Sequence, residues 1–381
     1  MNETSSRTNT LTWNDLEGRD SVVRDQWGAT VLQLCLSCLI AVVGFVGNVL
    51  VLVAAYQLYK HRTHRNTRST YYIINLSLAD LSIILLALPL EMLMHFTSWP
   101  FGEFTCKFIY PLRDVFVMVA IMTITALSVE RYWVITGPFK AKPNQKHARI
   151  IIASIWVIGY LYAGLPLVFV MKLVKVTDNN FLTCETSWKS TAEERVHVIL
   201  TLFACLVVPS CIITFCYIKI AKSLQKLQAR RTSIVPQEGK PTTSVISLVE
   251  QSKKVAKMLV IIVVAFCCCV LPYTMFALVA QFGHIYGTHF VWYSLFISLF
   301  FAHSAVNPVI LIIMSKEYRS EVAKIVRRLR DVCWKVEAVR AYFTDRKAHT
   351  YRQHRIESEN GAQLMESPGV DGEQQQKSTE L

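Results

Sequence analysis

Residues 258–315 read MLVIIVVAFCCCVLPYTMFALVAQFGHIYGTHFVWYSLFISLFFAHSAVNPVILIIMS and contain no Asp, Glu, Lys or Arg. A helix needs about 20 mostly apolar residues to cross a bilayer, so this stretch predicts two spans, near residues 257–281 and 290–314. Upstream windows of similar length and character lie near residues 30–58, 71–95, 107–135, 149–171 and 197–220. The sequence therefore predicts an all-α membrane protein that folds as a seven-transmembrane helix bundle.

The composition disfavours an ordinary soluble domain. Of the 381 residues, 52% are hydrophobic and 18% are charged, whereas soluble domains average about 25% charged residues. Seven spans leave room for short loops and two tails, but for no second folded domain. We expect an extracellular tail at 1–29, the seven-span bundle at 30–315, a short amphipathic helix at 316–335 and a disordered cytoplasmic tail at 336–381.

The orientation follows from the Lys and Arg residues, which concentrate after spans one, three, five and seven. Such segments are cytoplasmic by the positive-inside rule, so we predict a multi-pass protein of the plasma membrane with an extracellular N-terminus. The sequon Asn2-Glu3-Thr4 fits that side and predicts glycosylation of Asn2. Since Met1 to Gln26 is polar and shows no cleavable signal peptide, the first span is expected to serve as the targeting signal.

The net charge of +13 is explained by this topology together with attraction to anionic lipid of the inner leaflet. Membrane lipid is therefore an expected partner. Nucleic-acid binding is disfavoured, because the basic residues are divided among short loops.

The eleven cysteines fall into three groups. Most lie inside spans, where we expect them to pack as small apolar residues. Cys106 and Cys184 both fall on the predicted outer side, and that oxidising environment favours a disulfide between them. Cys333 follows a basic amphipathic stretch after the seventh span and is a candidate for palmitoylation.

Three polar side chains are predicted at a similar depth inside the bundle. Asp80 lies in the middle of the second span, and Asn48 and Asn307 lie in the first and seventh. An ionisable side chain at the centre of a membrane helix costs at least ~2.5–3.5 kcal/mol, so it is a functional candidate by default. The three groups could share waters or a cation, or they could form a purely structural polar cluster.

Five prolines lie within spans, where proline kinks a helix and frees backbone carbonyls. They are Pro89, Pro166, Pro209, Pro272 and Pro308. Kinked helices can pivot, which favours a conformational switch over a passive anchor. The alternative is that proline is simply commoner in membrane helices than in soluble ones.

The outer half of the bundle carries three charged residues: Glu91, Arg113 and Asp114. Arg113 precedes Arg131 by 18 residues, which is five helical turns, so the two cations lie on one face of the third span about 27 Å apart. A buried Arg113 needs a carboxylate, and Glu91 and Asp114 are the nearest by topology. One negative charge then remains, which suits a cationic group on a ligand.

The order and spacing of these motifs resemble the rhodopsin-like G-protein-coupled receptors from about residue 30 to 330. The residues that carry the resemblance are Gly47-Asn48, Asn75 to Asp80, Trp99 to Gly102 before Cys106, Glu130-Arg131-Tyr132, Trp156, Pro209 with Tyr217, Phe266 with Pro272, and Asn307-Pro308. The resemblance implies an extracellular ligand, a heterotrimeric G protein and no cofactor. Ser367, Ser378 and Thr379 of the C-terminal tail could accept phosphate and recruit arrestin; the alternative is that such residues are simply common in a disordered tail.

Two stretches are similar to the peptide receptors for ghrelin and motilin, which have neurotensin-receptor relatives. They are Leu127 to Tyr132 and Ile313 to Arg319. Glu91 and Asp114 match positions where ghrelin-type receptors also carry acids, although the arginine of their sixth helix falls on Ala277. The similarity implies that the ligand is a peptide.

The resemblance also assigns roles to residues of the inner half. G-protein coupling is assigned to Glu130, Arg131, Tyr132, Pro138, Phe139 and Tyr217. The activation switch is assigned to Asn48, Asp80, Phe266, Pro272, Asn307 and Pro308. A sodium ion is a further expectation, with Asp80, Ser304 and Asn307 as its candidate ligands.

Three departures from the family pattern affect the expected mechanism. Val270 stands in place of the toggle tryptophan, Leu311 in place of the tyrosine of the Asn-Pro-x-x-Tyr motif, and Ala120 in place of the sodium-site serine. The alternative function is therefore a decoy receptor that binds its ligand without efficient coupling. An enzyme is not expected, because the sequence shows no nucleophile, metal or phosphate-binding motif.

Overall fold

The structure is a computed structural model that describes residues 13–61, 67–136, 145–176, 181–233, 243–283 and 290–365. Within these residues, seven helical segments are long and apolar enough to span a membrane, as the sequence predicted. The spans cover Trp27–Lys60, Ser69–Met94, Gly102–Thr136, Gln145–Val170, Thr191–Lys226, Lys257–Ala280 and Val291–Met314. The prediction of a seven-transmembrane helix bundle is confirmed.

Several spans consist of more than one helix. In chain order, the helices are α1 (Trp13–His61), α2 (Thr67–Ser82), α3 (Leu88–Phe96), α4 (Gly102–Phe104), α5 (Leu112–Thr136), α6 (Gln145–Gly159), α7 (Leu165–Val170), α8 (Thr191–Leu202), α9 (Val208–Ser233), α10 (Thr243–Gly283), α11 (Phe290–Met314) and α12 (Lys316–Met365). The α1 helix begins inside the segment predicted as an N-terminal tail.

Four π-helical turns interrupt these spans, and each one ends two residues before a proline. The turns are Ile83–Ala87 before Pro89, Thr105–Ile109 before Pro111, Tyr160–Gly164 before Pro166, and Phe203–Val207 before Pro209. Proline has no backbone N–H, and its ring clashes with the carbonyl four residues earlier. In all four cases that carbonyl belongs to the π-helical turn, whose wider i→i+5 pattern accommodates the ring. In contrast, Pro272 and Pro308 lie inside continuous α-helices.

The third span is central to the bundle. Its helix α5 contacts α2, α6, α9 and α10, and its side chains are buried almost without interruption from Val115 to Ile124. Many Leu, Val, Ile and Phe side chains of the other spans are exposed, as expected for faces that lipid covers. The interior also holds polar groups, which position the candidate site.

Helices α1 and α11 pack closely where α1 carries glycine. A Cβ atom added to Gly44 would lie 3.4 Å from the Cα atom of Ala305, and one added to Gly47 would lie 2.9 Å from the Cγ atom of Pro308. At Gly47, a side chain would therefore have to displace the Pro308 ring. The contact fixes the relative depth of the first and seventh spans.

A β-hairpin lies between the fourth and fifth spans, an element that the sequence analysis did not predict. Strand β1 (Met171–Val176) pairs antiparallel with β2 (Phe181–Thr186). The predicted disulfide between Cys106 and Cys184 is present and joins β2 to the start of the third span. On the chain before the third span, the backbone N–H of Trp99 donates to the carbonyl of Leu182 at 2.7 Å.

The helix after the seventh span is longer than the sequence indicated. The chain divides into two units, Met1–Val322 and Ala323–Leu381, and α12 continues to Met365. The predicted boundary at residue 335 therefore falls inside a continuous helix. Residues 366–381 of the predicted tail lie outside the described residues.

Candidate functional site

Glu91 is the centre of a buried hydrogen-bond cluster in the outer half of the bundle. It lies on α3 of the second span, and its side chain is only 5% exposed. Its carboxylate accepts hydrogen bonds from the hydroxyl of Tyr110 at 2.9 Å, the hydroxyl of Tyr293 at 2.8 Å and Nη1 of Arg113 at 2.7 Å. The donors come from the chain before α5, from α11 and from α5, so Glu91 ties three spans together.

Arg113 joins the two carboxylates that the sequence analysis singled out. Its Nη1 atom pairs with Glu91, while its Nη2 atom lies 3.3 Å from Oδ2 of Asp114. The Arg113 guanidinium carbon also lies 5.0 Å from the ring centroid of Tyr110, within cation–π distance. The shorter bond to the more buried acid shows that Glu91 is the principal partner of Arg113.

Asp114 is the more accessible of the two acids. Its side chain is 29% exposed, compared with 19% for Arg113 and 5% for Glu91. The three groups together carry a formal charge of −1. This excess negative charge is therefore most accessible at Asp114.

Aromatic rings of α10 and α11 form a cluster beside these charges. The centroid of the Tyr273 ring lies 6.2 Å from that of Tyr293 and 5.0 Å from that of Phe300. The ring centroids of Phe276 and Phe296 lie 5.7 Å apart. The sequence analysis did not identify this cluster, although the spacing of three residues between 273 and 276, and between 293 and 296, places each pair on one helical face.

The polar residues of the inner half come together only in part. Asp80 is fully buried, and Nδ2 of Asn307 donates to its Oδ2 atom at 3.0 Å. Its other oxygen, Oδ1, has no hydrogen-bond partner in the described part of the chain. Asn48 instead donates to the backbone carbonyls of Ser304 and Gly44, each at 2.9 Å. The cluster thus links spans one, two and seven.

All three positions that depart from the family pattern, Ala120, Val270 and Leu311, are buried. Leu311 lines a small cavity together with Asp80 and Asn307, among others. The ring of Phe266, a predicted switch residue, contacts that of His303, with centroids 5.2 Å apart. His303 was not among the predicted residues, because a single histidine inside an apolar span is its only signal in the sequence.

The predicted coupling residues lie at the inner end of the third and fifth spans. Ser69 donates a hydrogen bond to Glu130 at 2.9 Å, and Nε of Arg131 is buried without a hydrogen-bond partner among the described residues. Pairing of Arg131 with Glu130 stays a prediction. Tyr132 and Tyr217 pack against one apolar cluster, whereas Pro138 and Phe139 lie outside the described residues.

The two predicted modification sites remain predictions. Cys333 has an exposed, free thiol on α12, which is compatible with acylation. Asn2 lies outside the described residues.

Comparison with known proteins defines the class. Residues 47–311 match the model of the 7 transmembrane receptor (rhodopsin family), and the chain belongs to this family. The predicted class is confirmed, and so is the prediction that the chain is not an enzyme, because the family consists of receptors.

The chain is similar to several peptide receptors. It is 29% identical over 165 residues to a QRFP-like peptide receptor of Branchiostoma floridae, which covers 42% of this chain and 43% of the relative. It is 28% identical to the RYamide receptor of Drosophila melanogaster, in a match that covers 69% of this chain and 57% of the relative. It is 26% identical to the galanin receptor type 1 of Homo sapiens, in a match that covers 67% of this chain and 71% of the relative. The chain thus spans about half the length of the first two relatives, which are named for other peptides than ghrelin or motilin.

Proposed function

We propose that this protein is a plasma-membrane receptor for an extracellular peptide and that it signals through a heterotrimeric G protein. Its N-terminus would lie outside the cell. A cationic group of the peptide would bind Asp114. The observation that carries the proposal is the unequal pairing of the two outer acids, because Arg113 is held closely by buried Glu91 and only at 3.3 Å by the more exposed Asp114.

Electrostatics favours a cationic ligand group at this site. Glu91 and Arg113 compensate each other, so the charge of Asp114 is the excess. A hydrogen bond to a charged partner contributes roughly 1.5–3 kcal/mol. Because Asp114 already has a cation nearby, a ligand that brings a second cation must also gain from the surrounding rings.

The aromatic cluster supplies such additional contacts. An aromatic or apolar side chain of a peptide would pack against the rings of Tyr273, Phe276 and Phe296. A cation next to an aromatic ring is further stabilised by cation–π attraction. The names of the relatives, which include RYamide and galanin receptors, support a peptide as the ligand.

Signalling would follow from a shift between two states of the bundle. A ligand shifts such an equilibrium only by its differential affinity for the two states. Ligand binding would favour a state in which the sixth span swings outward and opens a cytoplasmic cavity at Arg131. Glu130, Tyr132, Tyr217 and the segment with Pro138 and Phe139 would meet the G protein, and arrestin would bind the phosphorylated C-terminal tail.

The inner half would use Asn48, Asp80, Phe266, Pro272, Asn307 and Pro308 as its switch. A sodium ion fits part of this site, because the buried Oδ1 atom of Asp80 has no donor among the described residues. Ser304 and Asn307 are at hand as further oxygen ligands, but Ala120 supplies no hydroxyl. If sodium binds, it would stabilise the closed packing of spans two and seven.

A peptide screen tests the proposal. Cells that carry the receptor and a promiscuous G-protein reporter are treated with a library of synthetic peptides that contain Arg or Lys beside an aromatic residue. We expect at least one peptide to give a saturable response, and Arg131→Ala is expected to abolish the response while surface expression and binding persist. Binding without any response in the unmodified receptor would instead select the decoy function, and absence of binding would contradict the proposal.

A further inference from the structure

Three polar side chains of α1 and α11 are buried without hydrogen-bond partners among the described residues. They are Gln33, Ser37 and Ser294, and Gln33 is only 1% exposed. Four atoms lack a partner among the described residues: Nε2 and Oε1 of Gln33 and the hydroxyl oxygens of Ser37 and Ser294. Such groups are costly inside a bilayer, where no water replaces the lost hydrogen bonds. Buried polar groups that stay unpaired therefore call for an explanation.

Helical geometry places the three groups on facing stripes at a similar depth. Gln33 precedes Gly44 by 11 residues, and Ser294 precedes Ala305 by 11 residues. Eleven residues are three turns to within about 20°, or about 16 Å along the axis. Because Gly44 and Ala305 are in contact and both helices run inward, Gln33 and Ser294 lie at the same level.

Ser37 belongs to the same stripe. It follows Gln33 by four residues, so it lies one turn further in on the same face of α1. On the facing helix, Ser294 is adjacent to Tyr293, whose hydroxyl donates to Glu91 at 2.8 Å. On α11, the Ser294 hydroxyl and the charged cluster are therefore one residue apart in sequence and at a similar depth.

We propose that Gln33, Ser37 and Ser294 form a subsite for a neutral carboxamide group of the ligand, such as an amidated peptide C-terminus or an Asn or Gln side chain. This inference rests on the proposed peptide-receptor function. A carboxamide matches the subsite because it pairs with the Gln33 amide through two reciprocal hydrogen bonds and keeps one N–H and a lone pair for the serines. A carboxylate or ammonium group does not fit, because none of the three residues offers a compensating charge.

The test uses the purified full-length receptor and Gln33→Met, which keeps the length of the side chain and removes its polar atoms. The melting temperature of each protein is measured without additive, with acetamide, and with sodium acetate as the charged analogue. We expect Gln33→Met to melt at a higher temperature than the unmodified receptor, because unpaired polar atoms have been removed. Acetamide should stabilise the unmodified receptor and not the variant, and acetate should stabilise neither.

A second arm uses the best peptide of the screen, made with a C-terminal carboxamide and as the free acid, and with Asn and Gln replaced singly by Leu. One of these changes should lower affinity about tenfold in the unmodified receptor and have little effect in Gln33→Met. Ser294→Ala should act in the same direction. Ser298→Ala is the matched control, because its hydroxyl already donates to the Ser294 carbonyl at 2.8 Å, and we expect it to leave the carboxamide preference unchanged.

Three outcomes would overturn the inference. If Gln33→Met melts at a lower temperature, the polar groups are already bonded, for example by internal water. If it melts higher but neither acetamide nor the peptide changes distinguish it, the groups bind no carboxamide. Failure to find any responding peptide contradicts the proposed function alone, because the acetamide comparison needs no peptide and decides the subsite by itself.

Discussion

Glu91 and Asp80 are both buried carboxylates of the second span, but their surroundings differ. Glu91 accepts three hydrogen bonds, one of them from a guanidinium. Asp80 accepts one from Asn307 and has the Ser304 side chain as a further polar neighbour, while its Oδ1 atom makes no hydrogen bond of ordinary geometry within the described residues. A buried acid that is fully paired holds helices in place, whereas one with an unused oxygen keeps the capacity to bind a cation, a water or a proton. The outer acid therefore belongs to the framework of the site, and the inner one belongs to its adjustable part.

The largest expected effect tests the structural role of Glu91. Truncating one member of a buried ion pair typically costs about 3–5 kcal/mol, because the other charge is left uncompensated. Glu91→Gln should therefore lower the melting temperature and the surface level strongly. Asp80→Asn is the control within the same span and should change both far less. Equal effects of the two variants, measured by thermal unfolding and surface labelling, would remove the contrast between the acids.

The second largest effect is expected for the disulfide that joins the hairpin to the start of the third span. Cys184→Ser should lose about 2–4 kcal/mol of stability, together with surface expression or peptide binding. Cys268→Ser is a suitable control, because Cys268 is a free, exposed cysteine of the sixth span. Normal binding by the Cys184→Ser variant would show that the outer half keeps its shape without this bond.

The third prediction compares Asp114 with Glu91 through the effect of each acid on peptide potency. Asp114→Asn should leave the surface level intact and weaken peptide potency about 10- to 150-fold, since a charged hydrogen bond of roughly 1.5–3 kcal/mol is lost. Glu103→Gln provides the matched control, because Glu103 is an exposed acid paired with Lys107 at 2.6 Å. If Asp114→Asn keeps full potency while Glu91→Gln loses binding at a normal surface level, the roles of the two acids are exchanged.

The smallest expected effect concerns the inner half. Leu311 and Asp80 line the same cavity, so Leu311→Tyr would bring a hydroxyl near the unused oxygen of Asp80. We expect a gain of about 0.5–1.5 kcal/mol in stability that disappears when Asp80→Asn is combined with it. A double-mutant cycle of melting temperatures measures this coupling. An unchanged gain in the double variant would mean that the tyrosine acts through packing alone.

The sequence predicted those features that follow from solvation. Seven apolar windows specify seven spans because lipid is their solvent, and Arg113 predicted a nearby carboxylate because a buried guanidinium needs one. The sequence left open which acid would be the principal partner. Glu91 takes that role through two tyrosine hydroxyls, and tyrosine is too common in such helices to reveal its partner by position.

Backbone geometry accounts for most of what was missed. Prolines predicted distortions, but not that π-helical turns would precede Pro89, Pro166 and Pro209 and leave Pro272 without one. The sequence also does not predict that Gln33 lacks hydrogen-bond partners, because a single glutamine in an apolar span does not indicate which residues surround it. Both features depend on how helices pack, which the apolar pattern of one helix does not encode.

The π-helical turn at Ile83–Ala87 also bears on how the second span tolerates changes in length during evolution. It lies between Asp80 and Glu91 and contains one residue more than a regular α-helical turn. The wide turn absorbs that extra residue, so the helix on either side keeps the orientation that it would have in a regular α-helix one residue shorter. Loss of a single codon within the turn is therefore expected to leave Asp80 and Glu91 facing the interior of the bundle.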